Sequence, residues 1–163
     1  MTNIRRHFGD SNIVFTSHIT CQRRPILLEH GDLLITILSQ YEHSLIAWVI
    51  LPDHFHCIIE GHGNNLSNLF RRIKLSFSAH YRKRIDHSFG RAWQYRFWDH
   101  IIRNQDDLNN HIDYIHYNPV KHGYSRSPFE WAFSSIHKYY QQGYYQRDWG
   151  TRTPIDIIGD YGE

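Results

Sequence analysis

Residues 44–61 read SLIAWVILPDHFHCIIEG, and this stretch constrains the fold more than any other. Two apolar runs of strand length are separated by a Pro-Asp turn, so the chain doubles back as a β-hairpin. Strand alternation sends His54 and His56 to one face, and Asp53, Phe55 and Cys57 to the other. Imidazole is a poor core group. The face carrying both histidines is therefore either a solvated polar surface or a place where two ring nitrogens converge on something. Cys57, on the apolar side, reads as core.

The remaining elements follow from periodicity. IVFTSHIT (13–20) is a strand, and 25–43, opening on Pro25, repeats apolar residues at helical spacing. Gly61, Gly63, Asn64 and Asn65 mark a loop, and Leu66, Leu69, Phe70, Ile73, Phe77 and Tyr81 then recur at helical spacing. Residues 91–103 read as irregular chain leading into a short strand. A further helix opens on Asn104 as cap, with acids in its first turn. It ends near Pro119 or a little beyond, with Gly123 as the stop and Pro119 loosening the carbonyls near Asn118. Residues 131–140 read as a short helix before irregular chain.

The order strand, helix, strand, strand, helix, strand, helix specifies an α+β fold. The expected architecture is an antiparallel sheet with helices packed mainly on one face, a ferredoxin-like or RRM-like sandwich. No linker or repeat divides the 163 residues, so one domain spans 1–163, with a short C-terminal extension from about 125.

Composition excludes some classes. With 40% hydrophobic and 15% aromatic residues the chain has material for a packed core. No apolar run is long enough for a membrane span, the opening MTNIRRHFGD lacks the apolar stretch of a signal peptide, and two cysteines make no disulfide framework or zinc cluster. A reducing cytoplasm and no membrane partner are expected. Net charge is only +2, but RRIKLSFSAHYRKR (71–84) gathers Arg71, Arg72, Lys74, Arg82, Lys83 and Arg84, with His80, and no acid. Such a run is a solvated helix face or a surface for phosphates. Trp93, Tyr95, Phe97 and Trp98 could stack on unpaired bases or fill the core, and Arg96 and Lys121 are further candidate phosphate contacts.

The second chemical signal is DYIHYNPVKHG (113–123). On a helix Tyr114 and Asn118 lie one turn apart on the same face. A phenol can attack phosphorus when a metal polarises the phosphate, and an amide oxygen one turn away can join two imidazoles around that ion. Tyr117 is an alternative nucleophile, and both tyrosines could equally be packing residues.

WVILPDHFHCIIEG, WQYRFWDHIIRN, HIDYIHYNPVKHGY and YQRDWG, in that order, resemble the single-tyrosine transposases with a His-hydrophobic-His motif. More closely, they resemble the REP-associated tyrosine transposases of bacteria, over roughly residues 8–150. The resemblance implies that His54, His56 and Asn118 bind Mg2+ or Mn2+. It also implies that Tyr114 attacks single-stranded DNA, leaving a 5′-phosphotyrosine link and a free 3′-OH. His116 and Tyr117 fall at positions that vary within the family pattern, so neither is expected to act. The segment 5–20 departs from that pattern, lacking the glycine pair and second aromatic found before the first strand. The implied partner is a hairpin-forming repetitive palindrome with a single-stranded guide, bound by a monomer or homodimer in the nucleoid-associated cytoplasm. The alternative is a domesticated DNA-hairpin-binding protein that no longer cleaves. No P-loop GxxxxGK[ST] occurs, consistent with strand rejoining that needs no nucleotide.

Overall fold

The hairpin forms as expected, with β2 (Leu45–Ile50) antiparallel to β3 (His54–Glu60), Ile50 opposite Phe55 and Val49 opposite His56. The Leu51 amide closes the turn on the His54 carbonyl at 2.8 Å. The structure, a computed structural model, describes residues 12–61, 65–85, 90–151, 159 and 161–162. The first part of the N-terminal departure (5–11), Gly63 and Asn64 of the expected loop, and 152–158 of the C-terminal extension lie outside the described residues.

Two further strands join the hairpin. β1 (Ile13–Ile19) pairs with β3, and β4 (Trp98–Ile101) pairs with the far side of β1, giving an antiparallel sheet of order β2-β3-β1-β4. The α+β class is thus as the sequence indicates. The helices are α1 (Gly31–Ser39), α2 (Leu66–Ile85), α3 (Gln105–Lys121) and α4 (Ile136–Gln141).

The distribution of helices differs from the expectation of one face. α1 and α2 cover the face of Phe55, Cys57 and Ile59, and α3 covers the opposite face, where Phe15 and Ile58 meet Leu108, Ile112 and Ile115. The physical reason is visible in the strands. Residues 13–18 of β1 and 54–59 of β3 are buried without alternation, as a sheet covered on both sides requires.

α1 begins six residues later than the periodicity of 25–43 suggests. The Leu27 amide bonds the Pro52 carbonyl, which holds 24–28 as a connector over the hairpin turn. In α3 the Asn104 side chain accepts from the Asp107 amide at 2.9 Å, the expected N-cap. Pro119 does not fray the end. It sits inside the helix, the Asn118 carbonyl accepts from the His122 amide at 3.0 Å, and Gly123 stops the chain at φ +72°. Proline costs this helix one amide hydrogen bond and leaves the next turn intact.

The segment beyond 125 is part of the core rather than an extension to it. Ile136, Tyr139 and Tyr145 are buried beneath α3, and the Tyr139 hydroxyl donates to the Ile46 carbonyl at 2.8 Å. Residues 133–135 also run along the outer edge of β2. The Ile50 amide bonds the Phe133 carbonyl, and the Ser135 amide bonds the Trp48 carbonyl, each at 2.9 Å. Among the described residues no helix is long and apolar enough to cross a membrane.

Candidate active site and nucleic-acid interface

α3 lies across the face to which His54 and His56 point, and this sets the site. The His54 and His56 ring centroids are 5.0 Å apart, and the His56 and Tyr114 rings are 5.3 Å apart. His54 meets the ring of His122 at 5.2 Å. Tyr114, Asn118 and His122 follow at successive steps of four, so they form one column on α3. Its two ends touch His56 and His54, which puts the buried Asn118 amide level with the imidazole pair. All four expected groups are essentially inaccessible, with Tyr114, His56 and Asn118 at 0% and His54 at 1% exposure.

The alternation argument fails at Asp53. Asp53 belongs to the turn, before strand geometry begins at His54, so its carboxylate bends back and accepts from His54 Nδ1 at 2.6 Å. Burial pushes the Asp53 carboxyl up, but the bond and charge of His54, followed by Arg23 at 3.3 Å, outweigh it and hold the group below its ordinary range. An ionised carboxylate on Nδ1–H leaves Nε2 as the nitrogen with a lone pair, the usual arrangement behind a metal-binding histidine.

The donor set fits a divalent ion. Two imidazoles and a carboxamide oxygen are donors of the types such an ion takes, carried on facing elements, with the Asp53 carboxylate behind His54. Nitrogen-rich sets of this kind suit Mn2+ and its later neighbours better than Mg2+, which prefers oxygen. Lys121 sits beside the phenol, its Nζ 3.4 Å from Tyr114 Oη and 4.8 Å from the ring centre. Tyr161, from the end of the chain, stacks on Tyr114 with centroids 3.7 Å apart and planes within 6°, and Ser17 Oγ donates to the Gly162 carbonyl at 3.3 Å.

His116 and Tyr117 do not reach this centre. His116 is buried between Tyr145 Oη and Ser135 Oγ, both at 2.8 Å, and burial pulls its imidazole down to about 3. Tyr117 packs against Trp149 on another side of α3. Cys57 is core, its thiol pushed up to about 12 by burial.

The basic and aromatic candidates divide. Arg71, Lys74, Arg82 and Arg96 line one groove of about 1050 Å³ between α2 and residues 90–97, together with Phe70, Trp93, Tyr95 and Phe97. Lys74 Nζ lies 5.5 Å from the Phe97 ring centre and 5.7 Å from that of Trp93, and burial draws its ammonium down to about 8. The Arg91 guanidinium covers Tyr95 at 3.6 Å. Arg72 and Lys83 are exposed on α2 outside the groove lining. Arg84 is engaged within the protein, its two nitrogens on the Asp32 carboxylate of α1 at 2.9 and 3.0 Å. Trp98 belongs to the other face, edge-on to Phe15 at 5.8 Å.

Sequence reasoning missed Asp53, His122 and Tyr161. His122 could have been found by continuing the step of four from Asn118. Asp53 and Tyr161 carry no periodic signal, since one depends on where a turn ends and the other on a long-range return of the chain.

Residues 14–118 match the family model described as Transposase IS200 like. A REP-associated tyrosine transposase of Escherichia coli is 34% identical over 158 residues, covering 91% of each chain. A relative from Haemophilus influenzae, named for the same family, is 32% identical over 175 residues, covering 98% of this chain and 99% of its own. A solved structure described as a REP-associated tyrosine transposase bound to a REP hairpin superposes with a TM-score of 0.75 at 30% identity, covering 100% of this chain and 98% of the other. The chain therefore belongs to the IS200-like transposases and, among them, to the REP-associated tyrosine transposases.

Proposed function

We propose that this transposase cleaves and rejoins single-stranded, hairpin-forming DNA, with Tyr114 as nucleophile and His54, His56 and Asn118 as ligands of a divalent ion. The observation that carries the reading is the meeting of Tyr114 with His56 at 5.3 Å inside one chain, with Asn118 one turn further along. The hairpin DNA of the solved relative supports the choice of partner.

Tyr114 Oη attacks phosphorus, the P–O3′ bond breaks, and the departing 3′ oxygen takes up a proton. A 5′-phosphotyrosine and a free 3′-OH remain, and the reverse attack by a 3′-OH rejoins the strand. The phenol must lose its proton to attack, and the Lys121 ammonium beside Oη favours the anion. A divalent ion held by His54, His56 and Asn118 would neutralise charge at the scissile phosphate, and of the two expected metals Mn2+ suits these donors better than Mg2+. Asp53 holds His54 in the tautomer that presents Nε2 inward. The groove of Arg71, Lys74, Arg82 and Arg96 receives the unpaired strand, phosphates on the cations and bases on Tyr95 and Phe97. The groove lies on the α2 face of the sheet and the site on the α3 face, so a strand that engages both passes round the β4 edge.

The test is incubation with a labelled single-stranded palindrome and Mn2+, resolved on a denaturing gel. The native chain gives a covalent protein–DNA adduct, and Tyr114→Phe gives none. An adduct persisting in Tyr114→Phe moves the nucleophile elsewhere. Nicked DNA without attached protein points to a water nucleophile, and binding without cleavage points to a hairpin-binding protein.

A further inference from the structure

A second cluster of metal-ligating side chains lies outside the proposed centre. His100 of β4 and Asp107 and His111 of the first turns of α3 each offer one ligand atom, and these atoms all lie within 4.8 Å of one another. His100 Nε2 is 2.9 Å from Asp107 Oδ2, and His111 Nδ1 is 3.1 Å from Asp107 Oδ1. The two imidazoles stack with centroids 4.7 Å apart and planes within 9°, so both rings aim their edges at one carboxylate. The side chains of His100, Asp107 and His111 are 21%, 19% and 8% exposed, so the cluster is half-sheltered and reachable from solvent.

We propose that His100, Asp107 and His111 form a binding site for a zinc-class divalent ion that clips the edge strand β4 to the start of α3. Two imidazoles and one carboxylate are a donor set for Zn2+ and its transition-series neighbours. Mg2+ and Ca2+ want more oxygen than this site provides. The open side leaves room for water as the remaining ligand. Supporting groups are in place, since the Arg103 amide donates to Asp107 Oδ2 at 2.9 Å and fixes the carboxylate. Asp107 is ionised, because the bonds from His100 and Arg103 outweigh the burial that pushes its carboxyl up. Burial keeps His111 below the ordinary imidazole range, hence neutral. His111 Nδ1 now donates to the Asp107 main-chain carbonyl at 2.8 Å, and His100 Nε2 donates to the carboxylate. On taking up an ion each ring moves its N–H to the other nitrogen, so no net proton is released.

The position gives the ion a structural task. β4 is a four-residue strand at the edge of the described sheet, where its neighbour is β1. His111 packs on Phe15 at 4.9 Å, one turn before Tyr114 on the same helix. An ion at this site fixes the register of α3 against the sheet and so the placement of the tyrosine.

The experiment strips the full-length protein with a chelator and titrates it with Zn2+, and with Co2+ as a spectroscopic probe, in excess Mg2+. The double variant His54→Ala/His56→Ala isolates this site. We expect it to retain one bound ion, with the visible Co2+ bands of a low-coordinate imidazole site and a zinc-dependent rise in melting temperature. Adding His100→Ala should weaken binding roughly ten- to hundred-fold or more and abolish the rise, since even outer ligand partners are worth that much. His100 is partly exposed on an edge strand, so this variant keeps its fold, which its melting curve without zinc verifies. His111→Ala should behave the same way, and should it fail to fold, His100→Ala decides alone. The proposal is overturned when the double variant binds no ion, or when its binding is unchanged by His100→Ala.

Discussion

Asp53→Asn isolates the role of a single charge behind the proposed metal centre. The asparagine fills the same volume and can still accept from His54 Nδ1 through its amide oxygen, so the 2.6 Å contact changes from charge-assisted to neutral. A charge-assisted bond is worth about 1.5–3 kcal/mol and a neutral one about 0.5–1.5, so the loss is about 1–1.5 kcal/mol. Because the His54 ring is 1% exposed, water does not replace the lost interaction. The same loss lowers the basicity of Nε2, so Mn2+ should bind roughly tenfold more weakly, and Asp53→Ala, which also lets the ring turn, toward a hundredfold. Isothermal titration of Mn2+ into both variants measures this directly. DNA cleavage should fall with it at limiting Mn2+ and recover in excess metal, because Asp53 orients a ligand and touches no reacting atom. The reasoning is refuted by Mn2+ affinity in Asp53→Ala equal to that of the native protein, or by cleavage that excess Mn2+ does not restore.

Other outcomes follow from the same geometry. Tyr161→Ala removes a ring stacked on Tyr114, and with such pairs worth about 0.5–1.5 kcal/mol, adduct formation should rise roughly two- to tenfold; an unchanged initial rate would mean the stack opens freely. Because His56 and Tyr114 meet within one chain, mixing His56→Ala with Tyr114→Phe should yield no adduct, whereas restored activity would require exchange of α3 between copies. Replacing Arg71 or Arg82 with Ala should weaken binding of single strands and make log affinity less steep against log salt, by about one for each phosphate that the missing cation had neutralised. Fluorescence anisotropy at several salt concentrations reads that slope. His116 is held down to about 3, so the unfolded chain takes up a proton near 6.5 that the folded protein refuses. Stability is then lost as pH falls from 6.5 toward 3, on the order of 5 kcal/mol in full. The buried His18 acts in the same direction, so melting temperature against pH should flatten in His116→Gln without becoming level.

The sequence makes the chemistry of the centre more legible than its surroundings. His54 and His56 are two apart and Tyr114 and Asn118 four apart, and those spacings are the periods of the elements carrying them, so local geometry alone orients each pair. That the two pairs meet depends on which face α3 covers, which no local period encodes. The unbroken apolar run of β2 did hold that information, since a sheet with a wet side alternates. Arg84 looks in sequence like its neighbours in a basic run, but its engagement with Asp32 rests on the packing of α1 against α2. Aromatic content was equally ambiguous, and Trp93 and Trp98 end on opposite sides of the sheet although five residues separate them. His100, Asp107 and His111 span a strand, a cap and a helix, and no single period links them.

Residues 133–145 bind β2 along its edge and hold α3 through His116, Ser135 and Tyr145. This has a consequence for biosynthesis. A nascent chain that has emerged only as far as Asn118 already carries both histidines, the tyrosine and the amide, yet it lacks the segment that presses the helix onto the sheet. Assembly of the centre must therefore wait until residues 133–145 have emerged, and a polypeptide that stops before them should be unable to cut DNA.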